Sequence, residues 1–500
     1  MDRTWILFLQ SLLWTVLPRT DGVPLPRDPK TALDEYVNAF DPHYSYTVLD
    51  NLTRRDKDFT TYVLNMTSLK WLNESLVDRP VWWHYLTVTV PRYVTQTLQD
   101  SAFLFVDQGD NGAQPPDHST YFQKIIAAFA VSSGTVAACL TQIPNQPLSF
   151  LHDAAGRKSR SEDSLMAYTW WHFLTNRSDP SWLLLFPMTK ACVRAMDSVS
   201  DVVLKVSAGR QRINRFSVAG ASKRGWATWL VAAVDQRVVS FLPIVLDLLN
   251  MSKSLHHHFR AYGGWSFAFR NYYELNITEL LDSPQMSLMC SLIDPLSYSE
   301  RYRTKPKLVI STAGDEFFLP DDSHYYYQQL QGEKHLRVLP NAEHLCVGHL
   351  LSVIVSTQSF YLSTMLGLQQ PTMHWNRTQS EGSGAIYLYT DTLPIKVLAY
   401  EAVTWDAKRR DFRWAVASPQ PPGVLFRPVP WWSSPVSSPS PGVYMKKFLE
   451  PKVGWRAFFI EASFRGPLGT VQTFTTEVQI IPDTFPFPEC KAQACHGTIV

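Results

Sequence analysis

Apolar positions follow two alternating patterns between residues 23 and 369. Short apolar runs bounded by turn residues predict strands, and longer stretches with apolar residues three or four positions apart predict helices. This alternation is typical of an α/β domain, in which a mostly parallel sheet carries helices on its faces. The predicted strands are Thr60–Leu64, Trp82–Val90, Ala102–Val106, Thr135–Leu140, Phe216–Ala219, Val239–Val245, Lys307–Ser311 and Leu336–Leu339. The predicted helices are Tyr121–Ser132, Ser161–Leu174, Pro187–Val206, Lys223–Val234 and Ser323–Gln331.

Residues 251–299 break this alternation between two predicted strands. They contain the run His256-His257-His258 and a cluster of aromatic side chains, and they are long for a plain connection. Two interpretations are open at this point: a helical cap inserted over a site, and an ordinary surface excursion.

The composition changes after residue 369, where short strand-like runs alternate with turns rich in Pro and Ser. Regular short strands separated by turns predict a β-sandwich, immunoglobulin-like in architecture, over residues 370–500. The strands predicted there are Ala385–Tyr389, Lys396–Tyr400, Asp411–Ala417, Ala457–Ser463 and Thr473–Ile481.

Residues 1–22 have the pattern of a secretory signal peptide. Arg3 precedes an apolar run over residues 5–17, and Pro18 and the small residues Thr20 and Gly22 follow it. The run is shorter than the roughly 20 apolar residues of a membrane-spanning helix. We therefore expect a secreted, extracellular protein with no membrane span once the signal peptide is removed.

Cysteines and glycosylation sequons agree with this location. Six cysteines without a C-x-x-C pair favour disulfides over zinc or thioredoxin-type sites, and Cys490–Cys495 is the one pairing that we predict. Cys139 and Cys192 fit a bridge and a buried apolar position equally well. The sequon at Asn250 adjoins an apolar strand and is the least suited to a glycan. We expect glycosylation at the other sequons, which are at Asn51, Asn65, Asn73, Asn176, Asn276 and Asn376.

Composition narrows the classes of function. Apolar residues make up 45% of the chain and charged residues 18%, which excludes an intrinsically disordered chain and a coiled coil. A net charge of +2 without a long basic block argues against a nucleic-acid partner. Three consecutive histidines cannot all face one ion and no Cys/His spacing fits zinc, so we expect no metal and no cofactor.

The run from Phe216 to Trp226 contains the candidate nucleophile. An apolar run ends at Gly220 and a helical pattern begins after Ser222, so Ser222 is predicted to lie on the sharp strand-to-helix turn called a nucleophile elbow. The usual G-x-S-x-G pattern would place a glycine where this chain has Arg224, and the glycine comes one residue later, at Gly225. A serine that merely caps a helix is the alternative.

An acid and a base follow in the order that α/β-hydrolases use. Asp315 comes directly after the strand that begins at Lys307, and His344 comes shortly after the next strand. Because open α/β sheets place their sites at the carboxyl ends of strands, we expect Ser222, Asp315 and His344 to meet as nucleophile, orienting acid and general base. Further candidates are kept in reserve: Asp321 and Asp322 for the acid, and His349 for the base.

Two backbone amides are predicted to form an oxyanion hole. One belongs to Lys223, at the start of the predicted helix, and the other to Gln108, in the loop after Ala102–Val106. A Gly- and Asn-rich turn without a catalytic role is the alternative for the Gln108 loop. For the side chains of Lys223 and Arg224, one alternative is attraction of an anionic group of the substrate. Because they lie on the first helical turn and oppose the dipole of the helix, we expect a carboxylate to pair with them.

Six segments of this chain carry a resemblance to known proteins: Thr31–Val37, Gln142–Leu148, Glu162–Trp170, Gly220–Trp226, Gly314–Phe318 and Pro340–His344. Together they resemble a known family, the PhoPQ-activated pathogenicity-related proteins, which includes secreted autocrine proliferation repressor proteins. The resemblance runs from about residue 31 to about residue 487 and implies an α/β-hydrolase fold in which G-A-S-K-R-G is the normal elbow.

Two functions from different classes follow. The first is a secreted serine hydrolase that cleaves a small-molecule ester or a peptide through an acyl-enzyme. The second, which the family resemblance implies, is a secreted signalling protein that uses the hydrolase scaffold to bind a cell-surface receptor. The fold alone does not separate them.

Overall fold

The computed structural model describes residues 30–117, 120–176, 178–418, 420 and 423–500. Residues 1–22, which we predict to be a signal peptide, lie outside the described residues. No helix in the described ranges is long and apolar enough to cross a membrane. Residues Thr31–Val500 form a single compact unit, and the division of the chain at residue 370 stays a prediction.

The central feature is a mixed sheet in the first two thirds of the chain. Its strands are β1 (Ser45–Val48), β2 (Arg54–Arg55), β3 (Phe59–Lys70), β4 (Val81–Pro91), β5 (Ser101–Val106) and β6 (Val136–Leu140) and, after a small β7–β8 hairpin (Leu148–Ser149, Ser159–Arg160), β9 (Arg215–Ala221), β10 (Val238–Ile244), β11 (Lys307–Thr312) and β12 (Lys334–Leu339). The order across the sheet is β1-β3-β4-β6-β5-β9-β10-β11-β12, with β2 paired to β3. β4 is antiparallel to both neighbours, whereas the strands from β6 to the far edge of the sheet, in the order β6-β5-β9-β10-β11-β12, pair in parallel. The strands predicted from the sequence are confirmed as this sheet.

Helices cover both faces of the sheet, so its central strands are apolar almost throughout. Every residue of β6 and of β11 is buried. The helices are α1 (Ala32–Asn38), α2 (Tyr121–Ser133), α3 (Glu162–Thr175), α4 (Leu185–Val206), α5 (Lys223–Val234), α6 (Met251–Tyr262), α7 (Arg270–Glu274), α8 (Pro284–Ile293) and α9 (Leu350–Met365). The predicted α/β fold class, a mostly parallel sheet with flanking helices, is confirmed.

One predicted helix is wrong. Ser323–Gln331 forms two short 3-10 turns, Asp322–Tyr325 and Tyr327–Gln329, instead of an α-helix. The Oδ2 atom of Asp322 accepts a hydrogen bond from the Leu319 amide at 2.8 Å. A side chain bound to nearby backbone in this way competes with continuous helical hydrogen bonding.

The part of the chain after α9 is rich in antiparallel strands, as the sequence predicts. Its two main sheets have the orders β13-β14-β20-β19 and β18-β15-β21-β22, with β23 paired to β21. The strands are β13 (Met373–Ser380), β14 (Ser383–Thr390), β15 (Lys396–Val403), β16 (Ala415–Ala417), β17 (Val424–Phe426), β18 (Trp432–Pro435), β19 (Ser437–Ser440), β20 (Val443–Leu449), β21 (Arg456–Arg465), β22 (Val471–Thr475) and β23 (Gln479–Ile481).

The predicted strand Asp411–Ala417 is wrong over its first half. Only Ala415–Ala417 is a strand, because the carboxylate of Asp411 turns back to accept hydrogen bonds from the Arg413 amide at 3.1 Å and from Arg413 Nε at 2.9 Å. The predicted strand Thr473–Ile481 is divided into β22 and β23.

Cys490 and Cys495 form a disulfide, as predicted. Cys139, Cys192 and Cys346 are buried free thiols. The asparagines of the six sequons that we expect to be glycosylated are all exposed. Asn250 is only half exposed, and its Nδ2 donates to the Tyr325 carbonyl at 2.9 Å.

Candidate active site

Ser222 lies on a strained turn between β9 and α5. Its backbone has φ 56° and ψ −126°, a left-handed conformation that residues other than glycine rarely adopt. The turn brings backbones together: a Cβ on Gly220 would lie 2.7 Å from the carbonyl oxygen of Arg224. Strain and close approach at this point are features of a nucleophile elbow, which holds the serine hydroxyl out at the end of the sheet.

Gly225 accounts for the unusual spacing of the motif. A Cβ at this position would lie 3.0 Å from the carbonyl oxygens of both Gly220 and Ile244. The close helix-to-strand contact therefore falls at Gly225, one residue after the position that the G-x-S-x-G pattern would use. Position 224 is left available for an arginine.

The structure brings the three candidate triad residues together. Nε2 of His344 lies 2.9 Å from Oγ of Ser222. On the other side of the ring, Nδ1 of His344 lies 3.0 Å from Oδ1 and 2.9 Å from Oδ2 of Asp315. Both side chains are withdrawn from water, with exposures of 12% for His344 and 2% for Asp315.

Asp315 is fixed by donors around its carboxylate. Its Oδ1 accepts from the amide of Phe317 at 2.8 Å, and its Oδ2 accepts from Oγ1 of Thr312 at 3.0 Å. Burial acts to lower the pKa of His344, but the Asp315 carboxylate more than offsets this and raises that pKa above its usual value. The arrangement favours an imidazole that gains a proton.

A second acid supports the loop that carries His344. Oε2 of Glu316 accepts from the His344 amide at 3.1 Å. Burial and the neighbouring charge of Asp315 raise the pKa of Glu316 to about 7. Glu343, the other acid next to the pair, accepts from the Val347 amide at 3.2 Å through Oε1.

The reserve candidates lie in other settings. Oδ1 of Asp322 is 2.7 Å from Nδ1 of His257, and Asp321 forms an ion pair with Arg410 at 2.7 Å. His349 is the residue that precedes α9. His344 is therefore the histidine that contacts Ser222, and Asp315 is the acid that contacts His344.

The two predicted oxyanion donors have different surroundings. Lys223 is the first residue of α5, where backbone amides have no partner within the helix. The Gln108 amide donates to Oδ1 of Asp107 at 2.8 Å. Both residues border the cavity beside Ser222, and their roles stay predictions.

The prediction that carboxylates pair with Lys223 and Arg224 is confirmed, and both acids belong to α3. Nζ of Lys223 lies 2.8 Å from Asp163 and 3.1 Å from Glu162. The Arg224 guanidinium binds Glu162 with both terminal nitrogens. Burial acts to raise the pKa of Glu162, but Arg224 and Lys223 lower it to about 2. The basic pair is thus neutralised beside the serine.

Comparison with known proteins shows the family to which the chain belongs. The family described as PhoPQ-activated pathogenicity-related protein matches residues 33–413. The chain belongs to this family. Autocrine proliferation repressor protein A of Dictyostelium discoideum is 39% identical over 509 residues, which cover 99% of this chain and 97% of the relative. The resemblance seen in the sequence is confirmed.

Solved structures that resemble this member of the family include two acetyl xylan esterases. The esterase from Paenibacillus sp. R4 has 16% identity and a TM-score of 0.45, covering 66% of this chain and 92% of its own. Acetyl xylan esterase 1 from a Thermoanaerobacterium species has 14% identity and a TM-score of 0.42, covering 66% and 93%.

The segment over residues 251–299 is helical, with α6, α7 and α8 joined by 3-10 turns. Phe269 and Tyr272 from this segment border a small cavity together with Ser222. Its interpretation as a cap stays a prediction.

The three consecutive histidines of this segment contact different groups. His256 Nε2 contacts Asp282, His257 Nδ1 contacts Asp322, and His258 Nε2 accepts from the Ser266 amide.

A cavity of about 440 Å³ opens beside Ser222, and the sequence reasoning did not identify its walls. Apart from Ser222, His344 and the charged residues next to them, most of its lining is apolar. Leu350, Val353, Ile354 and Thr357 of α9 line one wall. Their spacing of three, four and seven positions is a helical signal that the sequence already contained.

Proposed function

We propose that this protein is a secreted serine hydrolase that cleaves an ester or an amide through an acyl-enzyme. The observation that carries the proposal is the pair of contacts at His344, whose Nε2 lies 2.9 Å from Ser222 Oγ and whose Nδ1 lies 2.9 Å from Asp315 Oδ2. A serine hydroxyl becomes a useful nucleophile when a neighbouring base takes its proton. Each group here lies within reach of the next.

The steps follow from these positions. Neutral His344 takes the hydroxyl proton at Nε2 while Ser222 Oγ attacks the carbonyl carbon, and the amides of Lys223 and Gln108 are our candidates to stabilise the resulting oxyanion. His344 then gives the proton to the leaving oxygen or nitrogen, which departs as an alcohol or amine. A water molecule, deprotonated by the same nitrogen, hydrolyses the acyl-serine ester and restores Ser222.

Secretion belongs to the same proposal. The signal peptide pattern of residues 1–22, the disulfide between Cys490 and Cys495, and six exposed sequon asparagines support an extracellular location.

Covalent labelling tests the nucleophile directly. We expect a fluorophosphonate probe to label the purified protein at Ser222 and to leave Ser222→Ala unlabelled, because only an activated serine attacks this phosphorus centre. Circular dichroism of the variant shows whether it is folded. Labelling that is absent from the wild type, or unchanged in folded Ser222→Ala, would contradict the proposed hydrolase.

The rate should depend on pH in one direction. His344 acts as a base only when neutral, and its pKa is raised above the usual value of about 6.5, so kcat/KM should rise with pH through a midpoint above that value. We expect the midpoint to fall in Asp315→Asn. Glu316 also titrates in this range, with a pKa of about 7, so the profile of Glu316→Gln is the control. If the rise of kcat/KM with pH disappears in Glu316→Gln, the titrating group is Glu316 and not His344.

A receptor-binding signalling protein is the second candidate. It is favoured by the 39% identity with a relative named autocrine proliferation repressor protein A. Ser222→Ala separates the two candidates, because a role in binding survives loss of the nucleophile. Growth repression by the folded variant at the wild-type level would favour signalling, and its loss would favour hydrolysis.

A further inference from the structure

The cavity beside Ser222 lies between two helices that turn apolar faces toward it. Phe122, Ile125, Ile126 and Phe129 of α2 line it, at a spacing of three, four and seven positions. α9 contributes a wall with the same spacing on the other side. One face of each helix, continued over two turns, therefore borders this space, as is typical of a slot between two amphipathic helices.

The slot extends well below the serine. Phe103 and Phe105 of β5 line its floor, and Asp107 lies at the end of that strand, beside the catalytic groups. Four strand residues span about 13 Å at 3.3 Å each. A methylene group fills roughly the volume of a water molecule, about 30 Å³ in the liquid, so a cavity of about 440 Å³ sets an upper limit of about fifteen carbons in a chain.

The slot offers little to a polar ligand away from its catalytic end. Cys346 in its wall has a thiol whose pKa burial raises to about 12, so the thiol is neutral. The charged side chains at the serine end, Lys223 and Arg224, are already paired with the acids of α3.

The mouth of the slot also has apolar side chains in contact with water. Leu345 and Leu350 line the cavity and are 82% and 43% exposed. Val347 and Leu351, next to them in sequence, are each 68% exposed. Clustered exposed apolar side chains mark binding sites for apolar partners.

A polar cleft adjoins the slot on the other side. Arg79, Asp110, Asn111 and Gln146 line it, and it shares Gln108 and Glu162 with the slot. A substrate whose scissile bond lies at Ser222 can therefore extend an apolar portion into the slot and a polar portion into the cleft.

We propose that the slot binds the acyl chain of the substrate, a linear apolar chain of about eight to twelve carbons esterified to a polar alcohol. This inference rests on the proposed hydrolase function. The acyl group is assigned to the slot because it stays on Ser222 after the alcohol leaves. A chain held among apolar side chains remains in place, while the departing alcohol and the incoming water have a polar route through the cleft.

A series of esters with one alcohol tests the chain length. With p-nitrophenyl acetate, butyrate, octanoate and decanoate, kcat/KM should rise with acyl length, since each buried methylene contributes about fourfold, equivalent to ~0.8 kcal/mol. Octanoate has six more methylenes than acetate, so complete burial of the chain gives a limit of roughly 4,000-fold, and we expect at least about 100-fold. Octyl acetate and ethyl octanoate separate the two ends of the substrate: the octanoate should be preferred, and a preference for octyl acetate would overturn the assignment.

A variant that fills the slot tests its location. Ile354→Trp should lower the octanoate-to-acetate ratio of kcat/KM at least tenfold, because the indole occupies the space of the chain. Val355→Trp is the matched control, since Val355 is on the same helix, 39% exposed and outside the lining, and its ratio should stay at the wild-type value. Melting temperatures show whether both variants fold.

The outcomes distinguish the two levels of the proposal. If the fluorophosphonate labels Ser222 but acetate is the best ester, or if Ile354→Trp keeps the wild-type ratio, the acyl slot is wrong and the hydrolase stands. If neither labelling nor ester turnover depends on Ser222, the hydrolase itself is wrong, and the acyl slot fails with it.

Discussion

Replacing Asp315 with asparagine should lower kcat about 10⁴-fold with little change in the fold. The carboxylate of Asp315 accepts from Nδ1 of His344, which leaves Nε2 unprotonated and directed at Ser222. An asparagine amide that donates to Nδ1 would favour the opposite tautomer, with its proton on Nε2, and that ring cannot take the proton of the serine. Turnover of a p-nitrophenyl ester measures the loss.

Glu343→Gln is the matched control for this variant. It removes a carboxylate next to His344 in sequence that accepts from the Val347 amide and does not contact the ring. We expect its kcat to stay within about twofold of the wild type. A folded Asp315→Asn protein that keeps more than a tenth of the wild-type kcat would exclude Asp315 as the acid that orients His344.

The contacts among Ser222, Asp315 and His344 could be predicted because each of the signals is local. Ser222 directly follows the apolar run that became β9, and Asp315 and His344 follow β11 and β12 by short loops. Parallel strands in one sheet bring their carboxyl ends to one edge, so the position of each residue in its own segment was sufficient. The strain at Ser222 also had a local signal, in the small residues around it.

Partners distant in sequence could not be predicted in the same way. Lys223 meets Asp163, which lies 60 residues earlier, and nothing near either residue indicates that α3 passes the start of α5. The slot between α2 and α9 is another example, because the two helical faces are more than 200 residues apart. The failed helix Ser323–Gln331 has a local and a distant cause: besides the bond from the Leu319 amide to Asp322, Nε2 of His324 lies 2.6 Å from the carbonyl oxygen of Val478, 154 residues later.

A buried ionic cluster directly precedes this segment in part, and it consists of His257, Asp321, Asp322 and Arg410. Arg410 Nη2 lies 2.7 Å from Oδ2 of Asp321, and the two side chains are 2% and 3% exposed. Burial acts to raise the pKa of Asp321, but Arg410 and His257 more than offset it and hold that pKa well below its usual range. Burial likewise opposes charge on His257, yet Asp321 and Asp322 raise its pKa to about 9. Opposite charges thus compensate each other in the interior.

The cluster also joins distant parts of the chain. Arg410 lies between β15 and β16, in the strand-rich part of the chain after α9, whereas Asp321 lies between β11 and β12 of the central sheet. The Arg410 guanidinium further lies over the ring of Phe485, 4.4 Å from its centroid. Loss of the Arg410 cation should therefore lower the free energy of unfolding of the whole unit.

Replacing Arg410 with methionine should lower the free energy of unfolding by about 3–5 kcal/mol. Methionine keeps most of the apolar stem, so the main change is that the buried carboxylates of Asp321 and Asp322 are left with His257 as their remaining cation in the cluster. Urea denaturation followed by tryptophan fluorescence measures the change. Lys408→Met, an exposed position two residues earlier in the same segment, should change the free energy of unfolding by less than about 0.5 kcal/mol.

The double variant Arg410→Met with Asp321→Asn tests the physical cause. Removing both charges eliminates the uncompensated carboxylate, so the double variant should be more stable than Arg410→Met alone, even though a second polar group has been changed. Additive losses in the double variant would mean that packing of Arg410 against Phe485, rather than its charge, accounts for the effect. A loss below about 1 kcal/mol in Arg410→Met alone would mean that water or another cation reaches Asp321 when the guanidinium is absent.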